Sequence, residues 1–129
     1  MKIRSGFVSN SSSSSFLIPI NALKQYQIEM IIDHIDATKD WLKYNKDEID
    51  AREDDSWNID INDKCAYGYT FMDNFDMSFF LENIAKVESK YIHWGDDYTD
   101  NNIDLDSINR EILQEQRKEK LDNLENYEN

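Results

Sequence analysis

The sequence predicts a single α+β domain in the order β-α-β-β-α-β, that of the ferredoxin-like split βαβ arrangement, followed by a C-terminal helix. Three observations predict it. A short apolar run, Phe16 to Ile20, precedes a stretch whose apolar side chains recur at steps of three and four. Two β-prone runs, Trp57 to Ile61 and Cys65 to Met72, are separated by a polar turn. A second helical pattern from Met77, a strand-like run Tyr91 to Trp94 and a third helical pattern from Leu105 complete the order.

Taken in turn, residues 1–15 carry Lys2 and Arg4, no acid, and the serine-rich run Ser9 to Ser15, which reads by composition as a loop or as disordered. Pro19 places the first strand near a sheet edge, or ends it there. Asn21 can serve as N-cap for a helix that sets Leu23, Tyr26, Gln27, Met30, Ile31, His34 and Ile35 on one face. Trp41, Leu42 and Ile49 extend that helix or begin a short second one. Trp57, Ile59 and Ile61 alternate with Asn58, Asp60 and Asn62, and with the run from Cys65 they predict a β-hairpin. Asp73 or Asn74 can cap the next helix, whose inner side holds Met77, Phe80, Leu81 and Ile84. The last helix starts from Leu105, Ile108 and Ile112 and becomes polar after Leu113. The division expected is therefore a Ser-rich segment over 1–15, a globular domain over 16–113 and a polar helix end over 114–129.

The 129 residues fit one ordinary domain, and 40% apolar residues with three tryptophans supply a core. The single cysteine, Cys65, excludes an intramolecular disulfide and leaves no zinc spacing, which points to a reducing cytoplasm. No run approaches the ~20 apolar residues of a membrane helix, and serines stand where a signal peptide needs an apolar stretch. The formal charge of −13 disfavours direct binding to nucleic acid, because Lys and Arg supply phosphate contacts. A basic protein partner fits it better, although acidity also serves solubility alone.

Several residue sets resemble sites. Asp100, Asn102, Asp104, Asp106 and Glu111 follow the oxygen-ligand spacing of a calcium-binding EF-hand loop, but Leu105 occupies the position that requires Gly. The carboxylates Asp60, Asp63, Asp73, Asp76, Asp96 and Asp97 could serve acid/base or metal chemistry only where they converge. His34 and His93 read as structural histidines. A Cys65–His93 nucleophilic pair requires their two strands to be neighbours. The serine run lacks the Gly-Lys-Ser or Gly-Lys-Thr of a phosphate loop. No cofactor, metal or catalytic residue is expected, and the chain reads as a non-enzymatic binding protein.

The string from Met1 to Phe16, with Gly6-Phe7-Val8-Ser9-Asn10 followed by five serines and Phe16, resembles an N-terminal signature of small proteins of tailed bacteriophages. The resemblance covers about sixteen residues and implies origin more than activity. It implies an accessory protein of the kind that binds and blocks a host enzyme or defence protein.

Two dense acidic stretches supply the surface such a role needs. The first holds Asp47, Glu48, Asp50, Glu53, Asp54 and Asp55, and the second Asp96, Asp97, Asp100, Asp104 and Asp106, with no Lys or Arg from Tyr91 to Asn109. The expected function is inhibition or redirection of a host protein with a basic, nucleic-acid-handling surface by acidic mimicry, in the host cytoplasm. The alternatives are a small ligand- or metal-binding module or enzyme using Tyr67, Tyr69, Asp73, His93 and Trp94, and a virion-associated structural protein.

Overall fold

The computed structural model describes residues 14–95 and 104–128, with side chains as far as Lys120. Its strands are β1 (Ser14–Pro19), β2 (Asn58–Ile61), β3 (Cys65–Thr70) and β4 (His93–Trp94). Its helices are α1 (Gln25–Ile32), α2 (His34–Leu42), α3 (Met77–Phe79, continued by a π-helical turn over Phe80–Ile84) and α4 (Leu105–Glu128). The sheet runs β2-β3-β1-β4 with each neighbouring pair antiparallel. The expected β-α-β-β-α-β order, the α+β class and the C-terminal helix are all present.

β1 is a central strand that begins at Ser14, inside the serine run, and ends at Pro19. Having no N–H, Pro19 cannot extend the ladder, and Ile20–Ala22 follow as a 3₁₀ turn. The register sets Phe16 opposite Gly68 and Trp94, and Ile18 opposite Ala66. Strand alternation then puts Phe16, Ile18, Ile59, Gly68 and Trp94 on one face. Against Phe16, Ile18 and Ile59 pack Ile31 of α1, Ile35 of α2, and Met77, Phe80, Leu81 and Ile84 around α3. Gly68 is demanded by this packing, since a Cβ there would stand 2.6 Å from Cζ of Phe16.

Leu17 and Cys65 lie on the opposite face with Tyr67, Tyr69 and His93. Leu17, Cys65 and Ile112 of α4 are buried yet stand outside the main core, and α4 contacts β1. Asn109 fastens α4: its Oδ1 accepts the Asn21 backbone N–H at 2.9 Å, and its Nδ2 donates to Lys64 O at 2.9 Å.

Local expectations need correction at four points. Asn21 is not an N-cap; it serves α4 instead, and α1 begins after Lys24, where the Gln27 side chain accepts the Lys24 N–H at 2.8 Å. The helical stretch is interrupted at Asp33, and its buried stripe is Gln27, Ile31, His34, Ile35 and Thr38, leaving Tyr26 exposed. Asp76, rather than Asp73 or Asn74, caps α3 by accepting the Phe79 N–H at 3.0 Å. The last strand is only His93–Trp94, because Ser89–Tyr91 form a 3₁₀ turn.

Candidate functional site

The first acidic stretch lies where the chain leaves α2 and crosses to β2. Asp47, Glu48, Asp50, Glu53 and Asp54 are exposed and Asp55 half-buried, with only a 3₁₀ turn over Glu53–Asp55. Among the described residues, Lys39 pairs with Glu53 at 3.7 Å, while Asp50 and Asp54 have no ion pair. That single exposed pair compensates little of the local charge. Asp55 Oδ1 accepts from Asn74 Nδ2 at 3.4 Å, which ties the end of the stretch to the chain ahead of α3.

The stretch is moored to the core by His34. The Trp57 backbone N–H donates to His34 Nε2 at 2.9 Å, and His34 Nδ1 lies 2.8 Å from Ile31 O, a carbonyl in the last turn of α1. Phe75 and Phe80 pack on the imidazole, with centroids 5.2 and 6.1 Å away. Burial holds its pKa below the ordinary histidine value, against the pull of Ile31 O and Asp33 upward. His34 is thus a satisfied structural histidine, as its place on the apolar stripe predicts.

Of the second acidic stretch, Asp96, Asp97 and Asp100 lie outside the described residues. Asp104 Oδ1 accepts the Ser107 N–H at 3.2 Å at the start of α4, and Asp106 pairs with Lys64 at 3.6 Å. These two carboxylates support the seat of α4. Among the described residues no group of three His, Cys, Asp or Glu could hold a metal ion.

The Cys65–His93 pair fails on topology. β1 separates β3 from β4, with Cys65 opposite Pro19 and His93 opposite Leu17. Burial also pushes the Cys65 thiol above its ordinary pKa, outweighing its contact with Asn62, which is the opposite of nucleophile activation.

The set Tyr67, Tyr69, Asp73, His93 and Trp94 is split between the sheet faces. Tyr67 and Tyr69 stack at 5.6 Å on the outer face, and Phe71 meets Tyr69 edge-on, also at 5.6 Å. Trp94 belongs to the helix-covered face, where its ring meets Phe16 at 6.0 Å. Asp73 and Trp94 do share a cleft of about 380 Å³ with Ser14, Trp57, Asp76 and Met77. Its lining includes the buried Trp57 and Met77, the half-exposed Trp94 and the exposed Asp76. Ser14 Oγ donates to Asp73 Oδ2 at 3.0 Å.

Sequence reasoning grouped Asp73 with Trp94 in one candidate set and with Asp76 in another, and the cleft holds all three. It missed Ser14, which the serine run disguises, and Trp57, which reads as the first residue of a strand. Two further hollows are less selective. One of about 280 Å³ beside His34 is edged by Asp33, Asp36 and Glu53. The other, about 360 Å³, sets Lys24, Lys86 and Lys90 among Glu88, Glu115 and Glu119, so its charge is balanced.

No protein-family model, curated protein or solved structure matches the chain. Among the described residues no helix is long and apolar enough to cross a membrane.

Proposed function

We propose that the chain is a bacteriophage accessory protein that binds a basic, nucleic-acid-handling host protein in the host cytoplasm and occupies its cationic groove by acidic mimicry. The observation that carries this reading is the exposed acidic stretch from Asp47 to Asp54, held on an irregular crossing between α2 and β2 with one exposed ion pair to offset it. Clustered carboxylates of this kind steer association with a positive surface and lose their effect as salt screens them. The phage origin rests on the string Met1 to Phe16, and the non-enzymatic role belongs to the same reading, in which these carboxylates act through their charge.

The test is affinity capture from bacterial host lysate at low and high salt, with the native chain and with Asp47→Lys, Asp50→Lys and Asp54→Lys combined. The native chain is expected to retain one stoichiometric nucleic-acid-handling protein at low salt and release it at high salt, and the variant is expected to retain none. Equal capture by the variant overturns the reading, and so does capture that high salt leaves intact.

A further inference from the structure

The sheet ends at β2 in an open edge, and two hydrogen bonds fix which groups that edge presents. The Ile20 N–H donates to Lys64 O at 2.9 Å, so along β3 the main-chain groups of Ala66 and Gly68 point to β1 and those of Cys65, Tyr67 and Tyr69 point to β2. The Asn62 N–H donates to Cys65 O, also at 2.9 Å, which fixes the same alternation from the side of β2. Asn58 opposite Tyr69 and Asp60 opposite Tyr67 therefore carry the β2–β3 ladder, while Ile59 and Ile61 each direct an N–H and a C=O away from it. Among the described residues no strand lies beyond β2 and no hydrogen bond reaches these outward groups. Asn58 and Asp60 are exposed on the outer face, and Ile59 and Ile61 are half-buried on the helix-covered face. Asp60 and Asp63 have no ion pair among the described residues, and the acidic stretch ends at Asp55, just ahead of the strand.

We propose that an extended basic segment of the partner protein adds to this edge as a further strand, antiparallel to β2. Unpaired main-chain donors and acceptors along a strand are a template for strand addition, and Ile59 and Ile61 supply them in the correct alternation. Charge selects the occupant. The residue of the added strand that stands opposite Asp60 faces the outer side in a non-hydrogen-bonded pair, where side chains come closest, so a Lys or Arg is favoured there. The residues on either side of it fall opposite Ile59 and Ile61, where an apolar side chain extends the half-buried face. The pattern recognised is thus basic and apolar in alternation. A second copy of this chain is disfavoured, since it brings the same charge of −13 and, paired about Asp60, sets Asp60 against its own counterpart. The inference rests on the reading of the chain as a binder of a basic protein and names the form in which that protein arrives: the acidic stretch attracts it, and the main chain of β2 holds it in register.

The experiment titrates the full chain with a short capped peptide in which lysine alternates with valine, reading affinity by calorimetry and the exchange of single backbone amides by NMR. Two methylated forms of the peptide keep its charge. Methylating the valine amides blocks the donors that face Ile59 and Ile61, whereas methylating the lysine amides blocks groups that point away from β2. The native peptide is expected to slow exchange at the Ile59 and Ile61 amides tenfold or more. Valine methylation is expected to weaken binding by tenfold or more, and lysine methylation to leave it within twofold. On the protein, Ile61→Pro removes an N–H that β3 does not use and Ile61→Val keeps it, so only the first is expected to weaken binding. Equal binding of the two methylated peptides overturns the edge as the docking element, and so does unchanged exchange at Ile59 and Ile61. Self-association of the chain that rises with concentration and is lost in Ile61→Pro overturns the choice of occupant. A separate variant, Asp47→Asn with Asp50→Asn and Asp54→Asn, tests the reading beneath. If it loses binding while the methylated peptides bind the native chain equally, the acidic docking surface stands and the edge falls; if it keeps binding while valine methylation abolishes it, the edge stands and the role of the stretch falls.

Discussion

The backbone N–H of Trp57 donates to Nε2 of His34 across 2.9 Å, and through this bond the acidic crossing is fastened to the helical layer. The neutral imidazole alone can accept it, so the fold selects the unprotonated state. The sign of the pH effect follows. Because burial lowers the folded-state pKa from the ordinary 6.5, the unfolded chain takes up a proton below that pH that the folded chain refuses. Stability due to His34 is therefore complete above 6.5 and falls as pH drops toward the lowered value, with a slope of at most ~1.4 kcal/mol per pH unit. Urea unfolding between about pH 7.5 and 5 should show the native chain losing stability faster than His34→Gln, since changes common to the carboxylates cancel in the difference. Parallel pH profiles would mean that the bond does not titrate.

Much of the fold is legible in the sequence because its signals are local periodicities. Alternation from Trp57 to Ile61 and the apolar steps at Met77, Phe80, Leu81 and Ile84 each imply one buried face, and each is buried as expected apart from the half-exposed residues of β2. The cap of α3 is ambiguous in the sequence because Asp73, Asn74 and Asp76 are all good N-caps, and only the Asp76–Phe79 geometry decides among them. Asn21 misleads for a related reason. Its side chain is spent on a partner 88 residues away, and no local pattern announces that. The cleft is illegible as a unit because Ser14, Trp57, Asp73, Asp76 and Trp94 come from four separated segments that only the sheet order brings together.

The pairing of Phe16 with Gly68 predicts an unusually sensitive glycine. The ring of Phe16 occupies the volume where a residue-68 side chain would start, and Ile59 Cδ1 closes the space at 3.0 Å. Gly68→Ala must push a fully buried ring, and overpacking of this kind costs about 1–3 kcal/mol. Phe16→Leu in the same chain should recover part of that loss, because the two positions share one volume and their effects are then not additive. Denaturant unfolding of the two single variants and the double variant measures the coupling. Additive losses would show that the strain is relieved elsewhere.

The last prediction concerns how α4 is held. Asn109 accepts the Asn21 N–H at Oδ1, donates from Nδ2 to Lys64 O, and offers its own carbonyl to Asn21 Nδ2, each at 2.9 Å. Among the described residues of this helix only Ile112 is buried, so polar contacts rather than a broad apolar face fix its position against β1. Asn109→Ala leaves the Asn21 N–H without its acceptor, at a cost of about 1–3 kcal/mol if it stays dry and less where water replaces it, whereas the Lys64 carbonyl keeps the Ile20 N–H at 2.9 Å. Asn109→Asp separates the two bonds, since it keeps the acceptor for Asn21 and removes the donor to Lys64. Hydrogen exchange of the backbone amides over Ile108–Gln116 should quicken in Asn109→Ala while protection in β1 and β3 holds. Loss of protection across the sheet as well would mean that α4 is part of the same cooperative unit as the core.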